Sequence, residues 1–287
     1  MRELVGVDWG TSTLRAALLR DGAAVEERSA PRGILNVAAG EFRAVLHELC
    51  GDWLDGRLGL ISGMAGSRQG WVEAPYCECP AAQGDLARRL AWVEAGRIAI
   101  VPGLTVRSGG VPDVMRGEEV QVFGAMELLG ARSFTAVLPG THSKWVQVED
   151  GRIAGFSTWM TGELYALLRT HSIVARTMDA TDGGLDEAAF RAGVRHARAV
   201  GNLLHSAFSA RTLALFDELP LAGRPSYLSG LVIGEEVRSQ SPGAGPLVVI
   251  GAPELSRRYA LALDAPVRTL GAEATWRGLA SLAQSLP

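Results

Sequence analysis

The stretch Val5–Leu19, VGVDWGTSTLRAALL, decides the fold of this chain. Two apolar runs flank a short turn of small and hydroxyl residues, a layout that predicts a β-hairpin. Gly10 permits a positive φ and lets a ligand approach the main chain closely. The amides that follow can converge on an anion, with the hydroxyls of Thr11, Ser12 and Thr13 beside them. The hairpin therefore predicts a phosphate site, the alternative being hydroxyls that satisfy only their own turn.

Asp8 ends the first strand of this hairpin and is expected to face the same point. A carboxylate beside phosphate-binding amides repels the phosphate unless a cation lies between them. Asp8 therefore predicts a Mg²⁺ ion, held directly or through water. The pattern GxxxxGK[ST] is absent from the chain, so the turn is not a P-loop.

The composition predicts a folded chain with a packed core. Its 287 residues fit one large domain or two of ordinary size. Apolar residues make up 47% and charged residues 21%, which argues against disorder. The formal net charge of −3 does not indicate a nucleic-acid or membrane-surface partner. The chain enters an apolar strand by Leu4 with no targeting segment before it, so we expect a cytoplasmic location.

The three cysteines, Cys50, Cys77 and Cys79, predict reduced thiols because their number is odd and no secretion signal precedes them. Cys77 and Cys79 have the spacing of half a metal site. No second Cys or His pair lies near them, so a structural zinc is not expected. The sequence does not define the oligomeric state, for which a homodimer is one option.

A glycine-rich loop, Gly63–Trp71, follows a predicted strand over Arg57–Ser62. Open α/β sheets bind ligands at the carboxyl ends of their strands, so the loop is a candidate binding segment. Its polar side chains are those of Ser67, Arg68 and Gln69. The alternative is an ordinary loop with Arg68 in solvent.

Asp113 is the candidate general base. We expect a loop over Gly103–Gly110 and an apolar helix over Val120–Leu129, which would place Asp113 at the start of that helix. The alternative role for Asp113 is that of a helix cap. Glu118 and Glu119 are rival carboxylates, for which a role in the first helical turn is favoured.

The layout of the opening hairpin recurs about 130 residues later. A predicted strand, Phe134–Leu138, ends in Pro139-Gly140-Thr141-His142-Ser143-Lys144, and Trp145–Val148 forms the next strand. We interpret this recurrence as an internal duplication of fold. Later, the strand Leu247–Ile250 is followed by Gly251-Ala252-Pro253 and a helix from Glu254 to Leu263.

The remaining pattern is mainly helical. We expect a helix capped by Thr161, a break at Asp182-Gly183-Gly184, and a long helical stretch over Asp186–Leu215 that is interrupted near Gly201. Shorter elements are predicted too: a third strand over Ala24–Ser29, helices over Glu41–Leu54, Asp85–Ala95 and Ala272–Leu286, and a turn at Glu149-Asp150-Gly151. Gly230 and Gly234, four residues apart, indicate close packing of one helix on another.

Several strings resemble the 2-dehydro-3-deoxygalactonokinase family, within the actin-like superfamily of sugar kinases, heat-shock ATPases and actin. They are DWGTSTLRA (Asp8–Ala16), GMAGSRQGWVEAPY (Gly63–Tyr76), DVMRGEE (Asp113–Glu119), LPGTHSKWV (Leu138–Val146), MTGELYALLRTHSI (Met160–Ile173) and LSGLVIGEE (Leu228–Glu236). The resemblance implies an α/β fold of two RNase H-like domains with an ATP cleft between them. It also implies an N-terminal domain over 1–132, a C-terminal domain over 133–270, and a terminal helix over 271–287 that returns to the first domain.

The resemblance implies transfer of the ATP γ-phosphoryl group to the 6-hydroxyl of 2-dehydro-3-deoxy-D-galactonate, with Mg²⁺. Two segments would hold the triphosphate, namely Gly10, Thr11, Ser12, Thr13 and Gly140, Thr141, His142, Ser143, Lys144. Adenosine would lie on Gly251, Ala252 and Pro253. Asp113 would act as base, and Ser67, Arg68, Gln69 and Arg116 would bind the acid sugar, because a carboxylate substrate calls for arginine.

Two alternatives stay open at this point. The first is a kinase of the same fold that acts on a related acid sugar such as 2-dehydro-3-deoxy-D-gluconate. The second is an actin-like nucleotide-binding module with no phosphate acceptor. Against the second stand Asp113 and the arginine-bearing loop around Arg68.

Overall fold

The computed structural model describes residues 3–178, 184–241 and 245–286. The strands are β1 (Glu3–Trp9), β2 (Leu14–Arg20), β3 (Ala23–Ala30), β4 (Leu58–Gly63), β5 (Tyr76–Glu78), β6 (Ala91–Glu94), β7 (Ile98–Ile100), β8 (Gly103–Ser108), β9 (Val111–Met115), β10 (Phe134–Leu138), β11 (Ser143–Glu149), β12 (Arg152–Trp159), β13 (Leu247–Ile250) and β14 (Arg268–Leu270). The helices are α1 (Phe42–Cys50), α2 (Gln83–Ala87), α3 (Glu118–Leu129), α4 (Thr161–His171), α5 (Glu187–Val200), α6 (Leu203–Ser206), α7 (Ser209–Leu215), α8 (Arg224–Arg238), α9 (Pro253–Leu263) and α10 (Glu273–Gln284). The predicted α/β class is confirmed.

The first sheet is built on the opening hairpin. Its strand order is β3-β2-β1-β4-β7-β6. Strand β1 pairs with β2 in antiparallel register, with Asp8 opposite Arg15, and with β4 in parallel register, with Asp8 opposite Ser62. Since β1 and β4 are parallel, their carboxyl ends lie at the same edge of the sheet. The turn after β1 and the loop after β4 therefore leave the sheet side by side.

Two further sheets are present. The order in the five-stranded sheet is β12-β11-β10-β13-β14, and in the three-stranded sheet it is β5-β8-β9. Strands β10 and β11 and the turn between them repeat the strand–turn–strand layout of β1 and β2, as predicted. Asp150 and Gly151 have φ of 49° and 79°, which is the backbone of the hairpin turn predicted between β11 and β12.

The chain divides into two compact units. The first contains the described residues within Met1–Ala136, Trp145–Ser157 and Leu270–Pro287, and the second contains those within Val137–Lys144 and Thr158–Thr269. In the first unit α10 packs against α3 and against strands β1 to β4. The approach of these two helices is close: a Cβ added to Gly124 would lie 1.8 Å from the Ala274 carbonyl oxygen. The boundaries predicted after residues 132 and 270 stay predictions.

Each unit has its own apolar core. In the first, Trp9, Phe42 and Trp71 pack together, with the Trp9 and Phe42 rings 5.4 Å apart between centroids. In the second, α5 packs against α8. A Cβ on Gly230 would lie 2.1 Å from the Phe190 carbonyl oxygen, and one on Gly234 would lie 2.9 Å from the Val194 Cα. The helix-on-helix packing predicted for these two glycines is confirmed.

The segment before α3 corrects the sequence analysis. Gly103–Ser108 is strand β8 and not a loop, and it forms a hairpin with β9 through Gly109 and Gly110, whose φ values are 57° and 85°. Two consecutive glycines between extended residues are a hairpin signal that the analysis missed. Asp113 consequently lies in the middle of β9, and α3 begins five residues later with Gly117 as its N-cap. The placement of Asp113 at a helix start was wrong.

Smaller corrections concern two other segments. The helix expected over Asp85–Ala95 is a short helix, α2, followed by strand β6. Met160 is the N-cap of α4 and Thr161 is its first helical residue, so Thr161 does not cap the helix. Asp182 and Gly183 of the predicted chain break lie outside the described residues, whereas the interruption near Gly201 is confirmed by its left-handed backbone.

Two absences apply to the described residues. None of their helices is long and apolar enough to cross a membrane. They contain no group of three or more His, Cys, Asp or Glu side chains arranged to hold a metal ion. Cys50, Cys77 and Cys79 are free thiols, as predicted, and burial raises the pKa of the Cys79 thiol to about 11.

Candidate active site

The first phosphate turn, Gly10–Thr13, leaves the end of β1 with its side chains in solvent. The Gly10 amide donates to the Thr13 carbonyl oxygen over 2.9 Å, which closes the turn. Thr11, Ser12 and Thr13 are all exposed, so their hydroxyls are accessible to a ligand. Gly10 has no positive φ, so the turn does not use the backbone freedom that glycine permits.

A backbone strap holds this turn from behind. The consecutive amides of Gly33, Ile34 and Leu35 donate to the carbonyl oxygens of Ser12, Gly10 and Thr11, over 3.0, 3.0 and 3.3 Å. A Cβ on Gly33 would lie 2.3 Å from Ser12 backbone atoms. Because the carbonyl groups are engaged by the strap, they point away from an anion in front of the turn. The strap was not predicted from the sequence, since its residues carry no polar side chains and act through their backbone amides.

Asp8 lies at the carboxyl end of β1, directly before the turn. Its carboxylate accepts a hydrogen bond from Arg15 on the neighbouring strand. A Cβ on Gly63 would lie 3.4 Å from Asp8 Oδ1, so the start of the glycine-rich loop contacts this carboxylate.

The two arginines predicted to bind the acid sugar differ in their exposure to solvent. Arg68 is 81% exposed and pairs with Glu73 at the rim of the glycine-rich loop after β4. Arg116 instead lies inside the loop: Nη2 donates to the Ala74 carbonyl oxygen over 2.8 Å, and Cζ lies 4.5 Å from the centre of the Tyr76 ring. Its Nε and Nη1 are buried with no hydrogen-bond partner among the described residues.

Two neighbouring hydroxyls are buried in the same way. Ser67 in the loop and Ser62 at the end of β4 each bury an Oγ that has no partner within the part of the chain that the structure describes. Gln69, by contrast, is exposed. Buried polar atoms without partners are rare in folded proteins and mark places where a ligand or water completes the bonding.

The start of α3 uses both of its glutamates internally. Glu118 accepts the Arg116 amide, and both carboxylate oxygens of Glu119 accept the Gly117 amide over 3.0 and 2.8 Å. These bonds confirm the predicted first-turn role of the two residues. Glu119 is completely buried, and this burial, reinforced by the charge of Glu118, raises its pKa to about 8.

Asp113 differs from the two glutamates because it lies on a strand. Its Oδ1 accepts the amide of Val114 over 2.7 Å, and its side chain is only partly buried. In β9 it stands opposite Val106.

The second phosphate turn, Gly140–Ser143, rests on the start of α4. The Glu163 amide donates to the Thr141 carbonyl oxygen over 3.0 Å, and Glu163 Oε2 lies 2.5 Å from His142 Nε2. A Cβ on Gly162 would lie 2.4 Å from the Gly140 carbonyl oxygen. Thr141 and His142 are exposed, so the front of this turn is open as well.

Ser143 and Lys144 face inward from this turn. The Ser143 hydroxyl is fully buried and bonds to Tyr259 and Glu236. Any contact of Ser143 with phosphate would therefore come from its backbone amide. Lys144 is 5% exposed, and its Nζ donates to the Thr158 hydroxyl over 2.7 Å.

Gly251-Ala252-Pro253 joins β13 to α9 in the same unit. Ala252 is the N-cap of α9, and Pro253 is its first residue, where the missing amide costs nothing. The nearest heavy atom to a Cβ on Gly251 would be Pro139 Cδ at 3.6 Å, so this segment lies beside the end of β10.

Comparison with known proteins decides the family. The family model for 2-keto-3-deoxy-galactonokinase matches residues 8–282. The chain belongs to the 2-keto-3-deoxy-galactonokinase family. It is a carbohydrate kinase of that family.

Relatives of this kinase support the same assignment. It is 38% identical to a Rhizobium meliloti (strain 1021) protein named as a probable 2-dehydro-3-deoxygalactonokinase, over 98% of this chain and 96% of the relative. It is 35% identical to the 2-dehydro-3-deoxygalactonokinase of Escherichia coli (strain K12), over 91% and 89%. A solved structure from Sinorhizobium meliloti, described as a candidate 2-dehydro-3-deoxygalactonokinase, superposes with a TM-score of 0.89 at 36% identity, over 99% of both chains. The fold of this chain is therefore that of the Sinorhizobium meliloti structure over nearly its whole length.

Three glycines of this kinase lie where the surrounding protein leaves room for a Cβ. A Cβ would meet no heavy atom closer than 3.5 Å at Gly10, 3.8 Å at Gly140 or 3.6 Å at Gly251. None of the three has a positive φ. The packing and backbone of the protein therefore do not require glycine at these positions, whereas they do at Gly33 and Gly162. A ligand lying against the main chain would require it.

Proposed function

We propose that this chain is a cytoplasmic ATP-dependent kinase that phosphorylates the 6-hydroxyl of 2-dehydro-3-deoxy-D-galactonate. The observation that carries the proposal is the family match over residues 8–282, which includes both phosphate turns, the glycine-rich loop and Gly251. The two relatives described above carry the corresponding enzyme name at 35% and 38% identity.

The two turns would hold the triphosphate of ATP, with adenosine on Gly251-Ala252-Pro253. The exposed hydroxyls of Thr11, Ser12 and Thr13 support this assignment for the first turn. In the second turn we assign the contacts to Gly140, Thr141, the His142 ring and the Ser143 amide. Lys144 would contribute its charge.

Mg²⁺ would be held by Asp8, directly or through water. A single carboxylate fits the way in which Mg²⁺ binds in kinases, where phosphate oxygens and waters supply most ligands. Because Asp8 already pairs with Arg15, its charge is partly balanced before a metal ion binds. Bound at Asp8, the ion would supply positive charge that offsets the charge of the phosphates.

Asp113 would accept the proton of the attacking hydroxyl. Glu119, one of its two rivals, is completely buried with both carboxylate oxygens bonded to the Gly117 amide, whereas Asp113 is only partly buried, which supports this choice. Phosphoryl transfer requires little else of the protein than in-line geometry, cancelled charge and such a base.

The acid group of the sugar would be recognised by the loop after β4. We assign this role to Arg68 and Arg116, with Ser67 and Gln69 as hydrogen-bonding partners. Arg68 is exposed and would exchange its ion pair with Glu73 for one with the ligand, whereas Arg116 provides buried donors that have no hydrogen-bond partner among the described residues.

The direct test is ATP consumption by the purified protein in the presence of individual sugar acids. We expect consumption that depends on 2-dehydro-3-deoxy-D-galactonate. ATP consumption with 2-dehydro-3-deoxy-D-gluconate only would instead assign the chain as a kinase for that related acid sugar. ATP binding with no sugar acid accelerating its turnover would favour the nucleotide-binding module. Thermal shift with a non-hydrolysable ATP analogue and each acid ranks the ligands independently.

A further inference from the structure

The second unit contains a buried carboxylate that the proposed chemistry does not use. Glu236, on α8, is 1% exposed. Its Oε2 accepts hydrogen bonds from Thr161, from Tyr259 over 2.6 Å and from Ser143 over 3.2 Å. Ser143 and Tyr259 also lie 2.6 Å apart, oxygen to oxygen. We name these four residues the Glu236 cluster.

The hydrogen-bonding groups of the Glu236 cluster explain why a carboxylate occupies this position. Three hydroxyl groups bring three protons, and an ionised carboxylate is an acceptor only. Buried charge is costly unless several donors satisfy it, and hydrogen bonds to a charged acceptor are stronger than neutral ones. A neutral amide would bring its own donors into a site that already contains three.

The three donors come from segments that surround the nucleotide-binding elements. Ser143 ends the second phosphate turn, and Thr161 begins α4, on which that turn rests. Tyr259 lies in α9, the helix that starts in Gly251-Ala252-Pro253. The carboxylate of Glu236 is therefore the point at which the phosphate turn, its supporting helix and the adenosine segment are joined.

The contacts between the start of α4 and the second phosphate turn depend on the position in which the Glu236 cluster holds α4. Gly162 lies against the Gly140 carbonyl group so closely that a Cβ there would be 2.4 Å from the oxygen. The Glu163 amide reaches the Thr141 carbonyl oxygen only while α4 keeps this position. A shift of α4 or of Ser143 would therefore change the direction of the turn's amides.

We propose that Glu236 is a positioning residue, which fixes the second phosphate turn relative to the adenosine segment so that both engage one nucleotide. The inference rests on the proposed function, because it takes ATP as the ligand. Glu236 acts through Ser143, Thr161 and Tyr259 and touches no reacting atom.

The test compares the affinities of ATP and AMP, measured by calorimetry on the full chain. We expect Glu236→Gln to weaken ATP binding by about tenfold, the loss expected when charge-assisted hydrogen bonds become neutral. AMP, which lacks the β- and γ-phosphates, should lose less than about threefold. The KM for ATP should rise while the KM for the sugar acid changes little.

Tyr259→Phe and Ser143→Ala each remove one hydroxyl and carry the test if Glu236→Gln does not fold. Tyr227→Phe is the matched control, because Tyr227 is also buried in the second unit and its hydroxyl bonds to Ser209, which lies outside the Glu236 cluster. We expect Tyr259→Phe to shift the ratio of ATP to AMP affinity and Tyr227→Phe to leave it unchanged.

Wild-type ATP affinity in Glu236→Gln, or equal losses for ATP, AMP and the sugar acid, would overturn the inference. The same would follow if Tyr227→Phe and Tyr259→Phe behaved alike. A wild-type protein that binds ATP but shows no sugar-dependent turnover would contradict the proposed function alone, because the affinity ratios remain measurable.

Discussion

The two phosphate turns have the same layout but different support. Gly10–Thr13 is held by three backbone amides of the strap Gly33–Leu35, and its side chains are exposed. Gly140–Ser143 is held by one backbone amide, that of Glu163, and by side chains, since Ser143 bonds to the buried Glu236 and His142 bonds to Glu163. The comparison teaches that a duplicated strand–turn–strand pattern defines the front of a binding turn, whereas the elements behind it are specific to each copy.

The largest expected effect concerns a residue outside both turns. If the turns only grip the nucleotide and Asp113 is the base, Asp113→Asn should lower kcat by roughly 10²–10⁴-fold. The KM values for ATP and for the sugar acid should change little, because the amide keeps the size of the carboxylate. Steady-state kinetics with both substrates measures this, and turnover close to wild type would remove the assignment.

The supports behind the two turns can be broken separately. Gly33→Ala and Gly162→Ala each place a Cβ within 2.4 Å of turn backbone, so each turn must move. Overpacking of this kind costs about 1–3 kcal/mol, and we expect the KM for ATP to rise about 10- to 100-fold in both variants. A matched control is Gly155→Ala in β12, where the nearest atom would be 3.9 Å away. Wild-type KM in either test variant would show that the support does not shape the turn.

Arg68→Lys changes the glycine-rich loop after β4 and leaves both phosphate turns intact, so it separates binding of the sugar acid from binding of ATP. Lysine keeps the charge but loses the bidentate geometry, so the KM for the sugar acid should rise about tenfold. The KM for ATP should stay within about twofold. Equal increases in both values would assign Arg68 a structural role.

The smallest effect is a pH dependence of stability in the first unit. The pKa of Glu119 is about 8 in the folded chain, above its ordinary value of 4.5, so the folded state retains a proton that the unfolded state loses. The contribution of Glu119 to stability is therefore present below about pH 4.5 and decreases as the pH rises toward 8. Glu119→Gln should lack this decrease.

Urea denaturation at pH 5.5 and pH 8 measures the difference for Glu119. We expect the wild type to lose up to a few kcal/mol more than Glu119→Gln between the two pH values. Glu127→Gln is the control, because Glu127 lies on the same helix with its side chain exposed. Parallel losses in the wild type and Glu119→Gln would contradict the assignment.

Most elements near the site were predictable because their signals are local. The apolar runs of β1, β2, β10 and β13 and the helix Glu118–Leu129 follow from periodicity and length alone. The hairpin of β8 and β9 was predictable from Gly109-Gly110, and the analysis missed it.

The supports behind the turns were not predictable in the same way. Glu236 is 93 residues from Ser143 in sequence and follows another glutamate, Glu235, in α8, so no local pattern links Glu236 to the turn. The strap acts through backbone amides, which any sequence supplies. The burial of Arg116 and the exposure of Arg68 likewise depend on how the loop packs against Tyr76 and Ala74.

The central claim, that both turns hold one triphosphate, is tested most directly by calorimetry on Gly10→Ala and Gly140→Ala with ATP and AMP. Each position has room for a methyl group within the protein, so lost affinity reports on the ligand. We predict that each variant keeps the stability of the wild type, binds ATP at least about tenfold more weakly and binds AMP almost unchanged. Wild-type ATP affinity in either variant would contradict the account.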